Sequence, residues 1–175
     1  MPEDLAERLI AASELHGDFV LSSGRRSSVY FDKFRFLTDP DLLKDTAAAV
    51  VELLPDRITN LAAPEGAATL LVAAVALQTG LPIAVVRREP KAYGTMSQLE
   101  GHAPPGAAVA LVEDVSTTGR QVHRAAKVLE EAGCTIAVIV LAIDRGGAEH
   151  LRGAGYWVKS VVEVRPADGT VIRPA

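Results

Sequence analysis

The chain has 175 residues, a length that suits one globular domain with a buried core. Its formal net charge of −4 argues against sequence-independent binding to nucleic acid, because such binding needs a basic face. The single cysteine, Cys134, excludes an intrachain disulfide, the acidic N-terminus is unlike a signal peptide, and no apolar stretch reaches the roughly 18 residues of a membrane span, so we expect a cytoplasmic protein.

Apolar patterning predicts strands that alternate with helices along most of the chain. An amphipathic helix is predicted over 3–15, and two short strands joined by a turn at Ser23-Gly24 are predicted over 18–32. A further helix begins near Asp39 and ends at Pro55. The part that follows has predicted strands at 57–63, 81–87, 107–112, 135–144 and 156–164, predicted helices at 67–80, 120–133 and 147–153, and a polar loop at 88–106.

This alternation predicts an α/β fold with a central, mostly parallel sheet of about five strands that is flanked by helices. Ligands of such sheets bind beyond the carboxyl ends of the strands. Polar segments stand at these ends at 64–66, 87–94 and 113–119. We therefore expect the functional site at this edge of the sheet.

The segment "EDVSTTG", residues 113–119, lies between a predicted strand and a predicted helix. Successive backbone amides, hydroxyls and the helix N-terminus can surround a phosphate, and Gly119 allows the backbone to approach it closely. The carboxylates of Glu113 and Asp114 can accept hydrogen bonds from vicinal hydroxyls and hold Mg²⁺ through water. The segment therefore predicts a phosphorylated sugar as ligand, and the alternative is a polar turn with a solvated acidic pair.

Three stretches resemble the orotate phosphoribosyltransferase family, a branch of the type I phosphoribosyltransferases. The stretch "VALVEDVSTTG" is similar to the superfamily motif that binds phosphoribosyl diphosphate (PRPP), "LSSGRRSSVYFD" to the family's N-terminal signature, and "VRREPKAYGTMSQLEG" to its mobile catalytic loop. The resemblance covers about residues 15–150. It implies the type I phosphoribosyltransferase fold in a single domain, 1–175, with a small hood from about 1–36 plus the chain end and a core over about 37–160.

The resemblance also implies an activity. A phosphoribosyl group would pass from PRPP to orotate, giving orotidine 5′-monophosphate and diphosphate in pyrimidine biosynthesis. Mg²⁺ would be bound with PRPP and not at a metal site of the protein. The partners would be PRPP, orotate and a second copy of the chain in a homodimer that shares loop residues between subunits, with no nucleic acid and no membrane.

The resemblance assigns roles to individual residues. Lys91, Asp114 and Arg88 would be catalytic, and Glu113 with Asp114 would grip the ribose hydroxyls. Arg145 is plausible independently, because a guanidinium binds a carboxylate such as that of orotate through two hydrogen bonds. The orotate-binding residues implied are Tyr30, Phe31, Thr117 and Arg145. The PRPP-binding residues implied are Arg87, Arg88, Lys91, Tyr93, Glu113, Asp114, Val115, Ser116, Thr117, Thr118, Gly119, Arg120 and Gln121.

The chain departs from the family pattern at three positions, and each removes positive charge from an anion site. Tyr93 stands where the loop usually carries histidine, while Glu65 and Ser22 stand where many members carry lysine. Two alternatives therefore stay open: a type I transferase for another base, and a non-catalytic relative that binds PRPP as a regulatory signal. Retention of Lys91 and Asp114 favours catalysis.

Overall fold

The computed structural model describes residues 4–20, 24, 26–90, 97–164 and 171–172. Its first part is helix α1 (Asp4–Ser13), strands β1 (Glu14–Val20) and β2 (Arg26–Phe31), and the short helix α2 (Lys33–Leu37). The two strands form an antiparallel sheet of their own, in which Glu14 lies opposite Phe31. We refer to residues 14–37 as the hood segment.

Helix α2 begins directly after β2 because Asp32 caps it. The Asp32 carboxylate accepts a hydrogen bond from the backbone N–H of Phe34. Helix α3 (Pro40–Leu53) begins in the same way, since Asp39 accepts from the N–H groups of the first turn and proline occupies its first position. These caps fix how the hood segment joins the rest of the chain.

The second sheet has seven strands in the order β5-β4-β3-β6-β7-β8-β9. The five inner strands are parallel to one another, while β5 and β9 pair antiparallel at the edges. The strands are β3 (Asn60–Pro64), β4 (Ile83–Val86), β5 (Leu99–Gly101), β6 (Ala108–Ser116), β7 (Thr135–Asp144), β8 (Val158–Val164) and β9 (Val171–Ile172). The remaining helices are α4 (Ala68–Thr79), α5 (Arg120–Glu131) and α6 (Gly147–Gly153).

Helices cover both faces of this sheet. Ala110 and Val112 of β6 belong to a buried cluster with α1, α2, α3 and α4, whereas Val109 and Leu111 belong to a second cluster with α5 and α6. Alternate residues of one strand are thus buried on opposite faces, as in a doubly covered parallel sheet. The connections from β3 and from β6 run in opposite directions across the sheet, so a crevice for ligand is expected where these strands end.

The predicted α/β fold with a mostly parallel, helix-flanked sheet is confirmed. Strand β7 and helix α6 have the predicted bounds. Three expectations were wrong. The first helix ends at Ser13, the predicted polar loop at 88–106 contains strand β5, and β6 extends to Ser116 and so includes both carboxylates of the "EDVSTTG" segment. No helix in the described ranges is long and apolar enough to cross a membrane.

Candidate active site at the ends of β3, β6 and β7

The carboxylates of Glu113 and Asp114 are buried inside the last part of β6. The two residues are 4% and 0% exposed. The N–H of Asp114 donates to Glu113 Oε1 at 3.1 Å, and the N–H of Val115 donates to Asp114 Oδ1. Burial, and next the negative charge of Asp114, raise the pKa of the Glu113 carboxyl well above its ordinary value. Glu113 therefore holds a proton more readily than an ordinary glutamate does.

Lys33 provides the positive charge beside this pair. Its Nζ lies 3.1 Å from Asp114 Oδ1 and 3.0 Å from Asp114 Oδ2. Sequence reasoning missed this contact, because nothing in the pattern around Lys33 indicates a partner on a distant strand. The only available signal was its position shortly after the "YF" pair of the hood signature.

A tight turn follows β6 and leads into α5. Ser116 is buried, Thr117 and Thr118 are exposed, and Gly119 adopts φ 70° at the N-cap of α5. Since Gly119 has no side chain to bond the first-turn amides, these amides are available to an anion. Thr118 Oγ1 accepts from the N–H of Arg120 at 3.5 Å, which is a long contact.

This turn packs against the start of α6. The N–H of Arg145 donates to the carbonyl of Ser116 at 2.8 Å. A Cβ atom on Gly119 would lie 2.6 Å from the carbonyl oxygen of Gly147, and one on Gly147 would collide with Ser116 Oγ. Both glycines are therefore needed for the close approach of the two strand ends.

The contact between Arg145 and Phe31 brings the hood segment to the same edge of the sheet as the turn after β6. The Arg145 guanidinium carbon lies 4.8 Å from the centroid of the Phe31 ring, within the range of a cation–π contact. The Asp144 carboxylate accepts from the N–H groups of Gly146 and Ala148, which holds the turn that carries Arg145. Tyr30 is 42% exposed on β2, beside Phe19.

Glu65 and Gln98 hold the residues that precede the segment predicted to be the catalytic loop. Glu65 Oε1 accepts from the N–H of Arg88 at 2.8 Å. Gln98 Nε2 donates to the carbonyls of Arg87 and Arg88 at 2.9 and 3.1 Å. We call these contacts the loop stem. Sequence reasoning considered Glu65 only as a negative charge and did not predict its bond to the backbone.

Arg87 and Arg88, the two arginines of the loop stem, line a small pocket together with side chains from the start of α5. Arg87, Arg88, Gln121 and Arg124 surround it, together with Pro64, Val86 and Ala125. Arg124, one turn into α5, is a further cation that the sequence reasoning did not single out. The positive charge of Arg124 compensates in part for the lysine that many family members carry at the position of Glu65.

The structure thus brings most of the predicted residues to one edge of the sheet. Glu113 to Gln121 form the end of β6 and the turn into α5, Arg145 follows β7, and Phe31 reaches them from the hood segment. Lys91, Tyr93 and Ser22 lie outside the described residues.

Comparison with known proteins identifies relatives along nearly the whole chain. No protein-family model matches. An orotate phosphoribosyltransferase from Thermococcus gammatolerans is 43% identical over 155 residues, which are 86% of this chain and 82% of that protein. The solved structure of orotate phosphoribosyltransferase from Aeropyrum pernix superposes with a TM-score of 0.79 at 36% identity, covering 91% of this chain and 93% of that one. The enzyme of Mycobacterium tuberculosis, solved in complex with PRPP, gives a TM-score of 0.77 at 25% identity, covering 91% and 94%.

Proposed function

The chain belongs to the orotate phosphoribosyltransferase family, and from this premise we propose how its residues carry out the reaction. The activity is transfer of a phosphoribosyl group from PRPP to orotate, which gives orotidine 5′-monophosphate and diphosphate in pyrimidine biosynthesis. The role of each residue below is our proposal.

Glu113 and Asp114 bind the ribose hydroxyls of PRPP. The Asp114 carboxylate accepts hydrogen bonds, and the raised pKa of Glu113 favours the form that carries a proton and can donate it. The 5-phosphate binds to the turn at 116–119 and the first amides of α5, with Arg120 and Gln121 beside it. Exposed Thr117 and Thr118 supply hydroxyl donors. The ribose and its phosphate would then be held on one continuous segment of backbone.

Displacement of diphosphate from the anomeric carbon leaves positive character on the sugar and adds negative charge to the leaving group. Cations that reach diphosphate stabilise this charge more in the transition state than in bound PRPP. Arg87 and Arg88 at the loop stem are placed for this role in the proposal, with Lys91 and Tyr93 of the loop and Arg124 of α5. The negative charge of Asp114 would favour the positive sugar.

Mg²⁺ accompanies PRPP in the proposal. In the described ranges no group of three or more His, Cys, Asp and Glu side chains could hold a metal ion. The Asp114 carboxylate, already paired with Lys33, would fit an ion that arrives with PRPP and that this side chain would reach through water. When bound, Mg²⁺ would neutralise charge on the departing diphosphate.

The Arg145–Phe31 contact is the observation that carries the assignment of the base site. It places the Arg145 guanidinium over one face of the Phe31 ring, 4.8 Å from its centroid and next to the carboxyl end of β7, and leaves the other ring face to the base. Orotate is a planar ring with a carboxylate, so it can stack on an aromatic side chain while its carboxylate binds the guanidinium. Tyr30 and Thr117 complete the proposed orotate contacts.

A homodimer is part of the proposal, and helix α4 supports it. Leu70 and Leu77, seven positions apart on one side of this helix, are 40% and 90% exposed. A helix that is apolar on all sides is usually covered by another protein surface. Leu77→Glu should shift the sedimentation coefficient toward that of a monomer, while Val20→Glu, at an apolar position of the hood that is 69% exposed, should not.

One assay tests the function. PRPP consumption and diphosphate release are measured with Mg²⁺ and orotate, uracil, hypoxanthine or no base. We expect turnover with orotate alone. Turnover with another base and none with orotate would support a different base specificity, and PRPP binding without any turnover would support the regulatory alternative.

A further inference from the structure

A lysine of the hood segment is bonded to the buried carboxylate that is assigned to ribose. The ammonium of Lys33 contacts both carboxylate oxygens of Asp114, although the two residues are 81 positions apart in the chain. The side chain of Asp114 has no exposed surface, while that of Lys33 is 37% exposed. Lys33 opens α2, two residues after Phe31, so this contact joins the base side of the site to its ribose side.

The charges around Asp114 make this contact more than a surface ion pair. Asp114 and Glu113 are neighbouring buried carboxyls, and the charge of Asp114 adds to burial in raising the pKa of Glu113. Lys33 is the cation that acts on this pair from the hood side, and its charge works against the rise in the pKa of Glu113. Arg145 of the β7–α6 turn is directed to the Phe31 ring. Without Lys33, a buried negative charge would have no direct counter-ion among the described side chains.

We propose that Lys33 is a positioning residue of the transferase reaction: its ammonium group compensates the charge of the Asp114 carboxylate and fixes its orientation at the end of β6, so that the carboxylate can accept the ribose hydroxyls of PRPP. This inference rests on the assignment of Asp114 to ribose in the proposed function. Lys33 acts through Asp114 in this account. A purely structural ion pair between α2 and β6 would stabilise the fold without any effect on PRPP affinity.

The first experiment measures the coupling between the two side chains without any activity. Urea-unfolding midpoints are compared for wild type, Lys33→Met, Asp114→Asn and the double variant. Lys33→Met leaves the buried Asp114 carboxylate without its counter-ion, so the midpoint of this variant should fall below that of wild type.

In the Asp114→Asn background there is no charge to compensate, so adding Lys33→Met should cause little further loss. The fully additive result, with equal losses from Lys33→Met in both backgrounds, would overturn the proposed coupling. Lys127→Met is the matched control. It removes a lysine that pairs with Glu130 on the surface of α5, and its effect should not depend on Asp114.

The second experiment measures PRPP binding with Mg²⁺ by calorimetry, in the absence of orotate. Without Lys33 the Asp114 carboxylate loses the contact that holds its orientation, so Lys33→Met should bind PRPP about tenfold more weakly, as for the loss of one hydrogen bond to a charged group. In the Asp114→Asn background the same substitution should cause no further loss of affinity. Lys33→Arg, which keeps the charge, should restore most of the affinity, and Lys127→Met should not change it.

The outcomes separate this inference from the proposed function. Wild type that binds PRPP but does not turn over orotate would refute the function and leave the Lys33 test intact. Unchanged PRPP affinity in Lys33→Met, or equal weakening by Lys33→Met in the wild-type and Asp114→Asn backgrounds, would overturn the positioning role while orotate turnover stands. Wild type that does not bind PRPP would remove the ribose assignment of Asp114 and the role of Lys33 with it.

Discussion

At the scale of single residues, the site depends on two buried carboxyls that lie next to each other in β6. Burial and the charge of Asp114 raise the pKa of the Glu113 carboxyl. The N–H of Val115 and the ammonium of Lys33 contact the Asp114 carboxylate, while the N–H of Asp114 donates to Glu113. Such a pair offers several acceptors and, when Glu113 holds its proton, one donor, which suits a pair of sugar hydroxyls.

Asp114→Asn tests the contribution of the Asp114 carboxylate to ribose binding. The amide has nearly the same shape but no charge, so the fold should persist and the ribose contact should weaken. By analogy with the removal of one preorganised electrostatic contact, we expect kcat to fall by roughly 10²–10³, or about 2.7–4 kcal/mol. Steady-state kinetics and thermal unfolding are measured together. Glu52→Gln, on the exposed surface of α3, is the control, and a loss of stability like that of a core truncation at Leu111 would favour a structural role.

Glu113→Gln tests the raised pKa of Glu113 through the pH dependence of stability. Because the folded pKa of Glu113 lies above its ordinary value of 4.5, the folded state binds a proton that the unfolded state has lost, and stability falls as pH rises from about 4.5 through the folded pKa. Glutamine removes this dependence. The urea midpoint of Glu113→Gln should therefore vary less between pH 5 and 9 than that of wild type, and equal slopes for the two proteins would contradict the assigned proton.

Some of these residues could be predicted from the sequence because they are adjacent to one another in the chain. Glu113, Asp114 and the hydroxyls that follow are contiguous, so their order between strand and helix was readable, and their roles stay predictions. Lys33 could not be found in this way. Its partner Asp114 is distant in the chain, and the two side chains meet only because the hood segment folds over the end of β6.

At the scale of secondary structure, the loop stem explains how this chain uses a residue that departs from the family pattern. Glu65 stands where many members carry lysine, yet its carboxylate accepts a hydrogen bond from the backbone of Arg88. Its own N–H donates to the carbonyl of Val86, so the segment after β3 is tied to the end of β4. The residue thus orders the start of the loop in addition to adding negative charge near it.

The charge and the hydrogen bond of Glu65 can be separated by two substitutions. Glu65→Gln keeps an acceptor for the Arg88 N–H and removes the charge, whereas Glu65→Ala removes both. We expect Glu65→Ala to lower kcat/KM for PRPP about tenfold, as for the loss of one hydrogen bond to a charged group, and Glu65→Gln to match or exceed wild type. If the two variants lose activity equally, the charge and not the bond is what matters.

Lys91→Ala tests the loop itself. Lys91 lies outside the described residues, so its role is argued from chemistry. Diphosphate gains negative charge as its bond to the anomeric carbon breaks, and a cation that reaches it stabilises the transition state more than bound PRPP. We expect a loss of roughly 10²–10³ in kcat with a smaller change in PRPP affinity, measured by single-turnover kinetics and calorimetry. An unimpaired variant would remove Lys91 from the catalytic residues.

Element prediction succeeded where apolar patterns were long and failed where they were short. Strand β7 is a continuous apolar run closed by a polar turn, and its bounds were predicted correctly. Helix α2 has five residues and strand β5 has three, which is too short for a period to appear. Strand β6 continues through its carboxylates because the pairing with β7 extends to Ser116, so tertiary contacts override the polar composition there.

At the scale of the whole molecule, the fold brings together segments that are far apart in sequence. The hood segment, the end of β3, the end of β6 and the turn after β7 each contribute one part of the site. The topology places the ends of β3 and β6 side by side, and both turn away from the crevice between them. The site is therefore divided among four segments of the chain, and in the proposed homodimer the partner's loop would add a fifth.

The last prediction asks whether the loop of one subunit serves the site of its partner. Lys91→Ala and Asp114→Asn are each expected to be nearly inactive as pure proteins. If Lys91 acts across the interface, a hybrid dimer of one Lys91→Ala chain and one Asp114→Asn chain contains one site with intact Asp114 from the first and intact Lys91 from the second. Its other site has both defects. Fully formed hybrids should therefore recover about half of the wild-type activity per dimer, and a random mixture, in which half of the dimers are hybrids, about a quarter.

Subunit exchange has to be demonstrated for this result to have meaning. The two variants carry different affinity tags, and hybrids are isolated by sequential purification before turnover of PRPP with orotate is measured. A mixture of Lys91→Ala with Glu113→Gln provides a second pairing of loop and ribose defects, because Glu113 belongs to the same carboxyl pair as Asp114. Isolated hybrids that remain as inactive as the parent variants would show that each chain supplies its own loop, since two sites with one defect each then leave no intact combination.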